Sequence, residues 1–304
     1  MTHTPPRPTL SPETERRVAA LPVWHGTPEM EPLSGGLSNE SVLVRDARGA
    51  HVVRLGRDFP FHHVERARET MVTRAAVARG FAPELVHAEP GVMVTRFIEG
   101  HTYTAEDVRR DRIRIAQLMR RFHEEMPAEV SGAGFFFWVF HVIRDYARTL
   151  EAGRSRMTDR LPGFLKVAEA MERAQVAMPV VFGHHDLLPA NFIDDGDRLW
   201  LIDFEYAGFG TAMFDLAGVA SNAGLSEADS AELMSAYLGH APDAAMQRAY
   251  AAMQVASLLR ETMWSLVSEL HLTAPGVDYA AYTAETLAAY EAALDEYQSR
   301  FEKV

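Results

Sequence analysis

The chain has 304 residues, 47% of them hydrophobic, no cysteine and a formal net charge of −12. That is enough apolar material for one large or two modest cored domains, and the lack of cysteine excludes disulfides, thiolate catalysis and Cys-ligated metal sites. The acidic balance offers no cationic surplus to neutralise a phosphate backbone, which argues against nucleic acid as a partner, and a reducing, cytoplasmic setting is expected.

The opening MTHTPPRPTL has several prolines and no apolar core, so it reads as a fraying end and as neither a secretory signal nor a transit helix. Residues 31–55 then read as a β-ribbon: Val42, Leu43 and Val44 face Val52 and Val53 across a turn at residues 46–49. Val64, Ala67, Met71, Ala75 and Ala78 recur at helical spacing before Gly80, which predicts a helix over 64–79. Two further strands, 85–87 and 92–97, flank the turn Glu89-Pro90-Gly91. Past Gly100 the texture changes to helical periodicity over 108–125, 139–150, 164–177, 226–238, 244–271 and 279–301, interrupted by short strands or extended loops at 180–192 and 199–204. The most apolar stretch, 135–143, is too short to span a bilayer and reads as core, so no membrane insertion is expected. The expected fold class is α+β, with residues 1–98 forming a small β-rich lobe and residues 99–304 a larger, mainly helical one.

The interruptions carry the chemistry. His184-His185-Asp186-Leu187-Leu188-Pro189-Ala190-Asn191 has the spacing HxDxxxxN, followed by Asp203-Phe204-Glu205. Phosphoryl transfer needs a carboxylate at the attacking hydroxyl and hard oxygen ligands that hold Mg²⁺ against nucleotide phosphates. Asp186 suits the first role, and Asn191 with Asp203 the second. Any one of them alone is more simply a turn cap or a strand-end acid; their order, behind a small sheet domain, turns the balance toward a kinase. His184 is expected to orient backbone near Asp203, and His185 has no assigned role. The pairs His62-His63 and His184-His185 lack a third ligand at metal spacing, so no metal is assigned to them.

Ahead of this motif, Gly35, Gly36, Ser38 and Asn39 lie in a small-residue turn between strands, where backbone N–H groups can approach phosphates. Arg54 stands at a strand end where a kinase places the cation that meets the α- and β-phosphates. Glu69 on the following helix is its expected partner, with Glu65 as competitor.

At these residues the chain resembles the aminoglycoside phosphotransferase and choline kinase superfamily. The resemblance runs from about residue 33 to 293 and rests on GGLSNESVLV with HVVRLG, RARE followed by GFAPELV, VTRFIEG, GHHDLLPANF, and LIDFEYAG with FDLA. It implies a two-lobed protein-kinase-like fold and a kinase using ATP and Mg²⁺. DFEYAG and the late segments ASLLRETMWSLVSEL and DYAAY resemble choline and ethanolamine kinases more than antibiotic kinases. By that resemblance the partner is a small, cationic amino alcohol, and a homodimer is admitted.

A quaternary ammonium is held by aromatic faces near a carboxylate. Glu261 and Trp264 lie three apart on one helix face, Tyr282 begins the next helix, and Glu205 and Tyr206 complete the candidate acceptor set. The family usually carries an acid near the position of Asn222 and a second cage aromatic near that of Glu261. Arg54 stands where protein kinases have lysine; by the resemblance, choline kinases likewise carry arginine there. No APE motif follows, and little chain separates DFEYAG from FDLA, so neither a protein substrate nor an activation loop is expected. The alternatives are a kinase for an aminoglycoside, thiamine or another small alcohol, and a pseudokinase that binds nucleotide without turnover.

Overall fold

The computed structural model describes residues 10–33, 39–273 and 277–301. The expected glycine turn at Gly35, Gly36 and Ser38, and the fraying of residues 1–9, lie outside them. In chain order the elements are α1 (Pro12–Ala19), β1 (Glu29–Leu33), β2 (Glu40–Asp46), β3 (Gly49–Leu55), α2 (Arg66–Ala78), β4 (Leu85–Glu89), β5 (Val92–Arg96), β6 (His101–Thr102), α3 (Ala105–Arg110), α4 (Arg112–Glu125), α5 (Val139–Ala152), α6 (Leu161–Arg173), β7 (Val180–Gly183), β8 (Phe192–Asp194), β9 (Leu199–Leu201), β10 (Gly208–Thr211), α7 (Ala212–Ala223), α8 (Glu227–Leu238), α9 (Ala244–His271) and α10 (Tyr279–Phe301). A β-rich N-terminal region is thus followed by a helical C-terminal one.

Strand alternation builds the first region. In β3 the side chains of His51, Val53 and Leu55 are buried while their neighbours are half-buried, a period of two. The five strands form one antiparallel sheet in the order β1-β2-β3-β5-β4, with Val42 opposite Val53 and Val53 opposite Val94. One face of that sheet is closed by α1, which composition alone did not reveal: Val18 and Leu21 pack with Val42, Val44, Val53, Leu55, Val92 and Val94 in a separate apolar cluster. The helix starts where Ser11 Oγ accepts from the backbone N–H of Thr14 at 3.0 Å, with Pro12 in its first turn, a cap worth about 1 kcal/mol.

Helix α2 belongs to the other cluster. Val72, Ala75 and Ala76, with Phe81 beyond its end, join the core that runs through all the later helices. Gly80, at φ +72°, provides the left-handed turn after the helix.

Two expectations in the helical region are corrected. The single helix expected over 108–125 is two, broken at Asp111: Thr104 and Asp107 form a capping box that fixes the first, and the Asp111 carboxylate accepts from Tyr103 Oη at 2.7 Å. Helix α7 was missed because it has almost no polar face. Nine successive residues, Ala212–Ala220, are buried, so no amphipathic period marks them. The 28-residue α9 runs through the middle of the region and packs against α5, α6, α7 and α10.

Candidate active site

The loop after β7 is held by one buried acid. Asp215, in the first turn of α7, accepts from the backbone N–H of His184 at 2.8 Å and of His185 at 2.7 Å, and from His123 Nε2 at 2.9 Å. Burial alone would raise its pKa; the His123 hydrogen bond and the neighbouring histidines outweigh that and hold it well below the usual carboxylate range. Asp215→Ala should strand these donors and cost about 3 kcal/mol in urea unfolding, whereas a loss below 1 kcal/mol would show that the loop is held elsewhere.

His184 plays the expected orienting part, donating from Nε2 to the carbonyl of Ile202, next to Asp203, at 2.9 Å. His185, left without a role, also has one. Its Nδ1 bonds the carbonyl of Tyr206 at 3.2 Å and its ring stacks on Phe137 with centroids 4.4 Å apart. The ring fits because its neighbours are glycines: a Cβ on Gly183 would come within 2.4 Å of His185 Nε2, and one on Gly210 within 2.8 Å.

Desolvation pushes the His185 pKa down to about 4, and His184 shifts the same way. The unfolded chain therefore takes up these protons first, and stability present above pH 6.5 should fall as the pH drops toward 4, by roughly 3 kcal/mol for His185. Asp186, shifted upward, contributes with the opposite sign. The check is therefore the difference between wild type and His185→Gln in urea midpoints at pH 7 and pH 4.5, which should narrow as the pH falls.

The loop delivers Asp186 and Asn191. Asn191 Nδ2 donates to the Asp186 carbonyl at 2.7 Å, which leaves its Oδ1 as the available metal donor. Asp203 follows β9 at φ +68°, a left-handed conformation that non-glycine residues adopt at a cost and that recurs at functional sites. The Asp186 carboxyl is pushed well above the usual range, by desolvation first and then by the charge of Asp203, with Arg260 opposing.

Arg54 links the sheet to this loop. Its Nη1 donates to Glu69 Oε1 at 2.6 Å, and its Nη2 to Asp203 Oδ1 at 2.7 Å and Glu205 Oε2 at 3.2 Å. Glu69 is thus the partner in place of Glu65, and its other oxygen accepts from Arg66 Nη1 at 2.6 Å. Glu205, expected with the acceptor aromatics, is held at this end instead: Arg66 Nη1 reaches its Oε2 at 2.9 Å and Asn39 Nδ2 at 3.5 Å. A cavity of about 590 Å³ lined by Asn39, Arg54, Arg66, Glu69, Val92 and Met93 adjoins the cluster.

The remaining acceptor candidates do converge. Trp264 Nε1 donates to Tyr206 Oη at 2.9 Å, and Tyr282 Oη to Glu261 Oε1 at 2.7 Å. Trp264 stands edge-on to Tyr282 and is stacked on His62 at 4.8 Å, so one indole face is already covered. His62 itself is fixed by Ser268 Oγ at 2.9 Å. Asn222 turns its Nδ2 to the carbonyl of Leu187 at 3.2 Å, supporting the loop.

Sequence reasoning also passed over Arg260, 4% exposed, whose Nη1 donates to Glu261 Oε2 at 2.9 Å. The signal was a cation inside the apolar run Leu258, Leu259, Met263.

Similarity to known proteins identifies the lineage. The family model described as choline/ethanolamine kinase matches residues 30–224. The chain belongs to the choline/ethanolamine kinase family. A solved choline/ethanolamine kinase family protein from Mesorhizobium loti is 28% identical, with a TM-score of 0.75 over 94% of this chain and 96% of that one. Among curated relatives, Protein LicA of Haemophilus influenzae is 26% identical over 67% of this chain and 61% of its own, and a probable ethanolamine kinase of Arabidopsis thaliana 28% over 62% and 54%. The match to this family therefore spans less than two thirds of those curated relatives' length.

Proposed function

We propose that this member of the family is an ATP- and Mg²⁺-dependent kinase that transfers the γ-phosphoryl group to the hydroxyl of a small amino alcohol of the choline or ethanolamine type. The observation that carries the reading is the convergence, between sheet and helices, of Asp186, the Asn191-to-Asp186 tie, Asp203 and the Arg54–Glu69 pair. Residues 1–98 would serve as the nucleotide lobe, with Asn39 and Arg54 toward the phosphates, and residues 99–304 as the lobe with the catalytic loop and acceptor pocket.

The donor set fits Mg²⁺. Among the described residues no group of three or more histidines and carboxylates is gathered to cage a metal, and Mg²⁺ is usually held by one or two protein oxygens, nucleotide phosphates and water. Asn191 Oδ1 and the Asp203 carboxylate supply such oxygens, and the bound ion would neutralise phosphate charge. Asp186 orients the acceptor hydroxyl and takes its proton; burial first and the charge of Asp203 second hold its pKa up, and a bound Mg²⁺ would offset the second of these. Tyr206, Glu261, Trp264 and Tyr282 form the wall against which the amino alcohol lies.

The test is ATP consumption by purified protein with Mg²⁺ against choline, ethanolamine, thiamine and aminoglycosides, with Asp186→Asn as the blank. Turnover on an amino alcohol, lost in the blank, is expected. Exclusive turnover of an aminoglycoside or thiamine would overturn the acceptor class, and Mg·ATP binding without turnover on any acceptor would move the chain to the pseudokinases.

A further inference from the structure

Arg260 is not explained by the role of an ordinary choline site. Its guanidinium is buried, with Cζ 4.5 Å from the Tyr206 ring centre and 5.9 Å from that of Phe137. Nη1 is used by Glu261, but Nε and Nη2, both shielded, have no hydrogen-bond partner among the described residues. Desolvating an unpaired charge-bearing N–H is costly, and Arg66 Nη2 and Arg68 Nε are shielded and unpaired too, but among these arginines Arg260 alone leaves two donors of one edge unpaired. Nε and Nη2 form one edge of the planar group, the two-donor fork whose spacing matches a carboxylate.

The surrounding charges point the same way. Its hydrogen bond to Glu261 and its seat over the Tyr206 ring place Arg260 among the acceptor candidates, where it opposes the upward shift of the Asp186 carboxyl. Both oxygens of Glu261, the acid that would balance an acceptor ammonium, are already bonded, one by Tyr282 and one by Arg260. A purely cationic acceptor would face this fixed positive charge and a half-neutralised counter-ion. A molecule carrying an anion beside its ammonium satisfies both ends.

We propose that Arg260 is a specificity-determining residue whose unpaired Nε–Nη2 edge takes a carboxylate of the acceptor, so that the preferred acceptor is a zwitterionic amino alcohol with hydroxyl, ammonium and carboxylate on one small molecule. This rests on the amino-alcohol reading above and narrows it. The hydroxyl is presented to Asp186, the ammonium lies toward Glu261 and Tyr282, and the carboxylate occupies the bare guanidinium edge. The transfer is otherwise the same: the acceptor oxygen bonds to the γ-phosphorus, the bond to the ADP oxygen breaks, and the hydroxyl proton passes to Asp186.

The experiment compares kcat/KM with Mg·ATP for matched acceptors: serine and homoserine, their methyl esters, and ethanolamine and 3-aminopropanol, which lack the carboxylate. At least one free acid should exceed both its ester and its decarboxylated partner by about 100-fold, and Arg260→Met should shrink that preference to a few-fold. Arg260→Lys, which keeps the charge without the fork, should fall between. Preference for the esters or simple amines in the wild-type enzyme would overturn the inference and leave the amino-alcohol reading intact; this comparison decides the matter even if Arg260→Met fails to fold. Equal slowing of acid and amine by Arg260→Met would also overturn it, assigning Arg260 to the phosphoryl group or to packing. No turnover of any amino alcohol, beside turnover of an aminoglycoside or of none, would overturn both readings.

Discussion

Asp186→Asn should lower kcat by about 10²- to 10⁴-fold, the range over which a positioned base contributes, while Mg·ATP affinity stays within a few-fold. The substitution is nearly isosteric, and what it removes is the proposed ability to accept the hydroxyl proton as it leaves. The loop should survive it, because the loop is tied by backbone: His184 and His185 N–H to Asp215, and the Asp186 carbonyl to Asn191. Steady-state kinetics paired with a nucleotide titration separate the two effects, since an interaction made only in the transition state lowers kcat and kcat/KM together. Near-wild-type turnover of the purified variant would remove Asp186 from the chemistry.

Asp203→Ala should act on both binding and turnover. It deletes a proposed metal oxygen and the 2.7 Å partner of Arg54 Nη2, leaving that cation to Glu69 and Glu205. Loss of one such electrostatic contact lowers turnover by about 10²- to 10³-fold, and the gain in ATP affinity that Mg²⁺ gives the wild-type protein should be largely lost. The measurement is ATP affinity with and without Mg²⁺ in both proteins. A variant that still binds ATP more tightly with Mg²⁺, to the same factor as wild type, would place the metal elsewhere.

What was legible in the sequence followed from local pattern. The short apolar runs of β2 and β3 around their turn and the helical spacing of α9 and α10 are short-range signals, and the HxDxxxxN spacing marks the proposed catalytic loop within eight residues. What was not legible depended on distant partners. Helix α7 looks uniformly apolar because it is enclosed on every side. Glu205 reads as an acceptor residue next to Tyr206 until the fold brings Arg54 and Arg66 to it from the sheet and α2. Trp264 suggests an open aromatic wall, and only the return of His62 onto its face shows that part of it is occupied. Arg260 gives no signal beyond a charge in an apolar helix, and its meaning depends on what the other elements leave unpaired.

The two apolar clusters share no residue, and the seam between them does not coincide with the change from strand to helix. Helix α1 and the sheet form one oily body; α2, although it lies in the middle of the sheet's sequence, belongs with the helices. The Arg54 contacts to Glu69, Asp203 and Glu205 cross that seam. If the sheet rocks to admit nucleotide and release product, it does so against ionic contacts, which re-form readily, and leaves both cores intact. Because these pairs are largely buried, salt screens them little, and the grip between sheet and helices should change hardly at all with ionic strength.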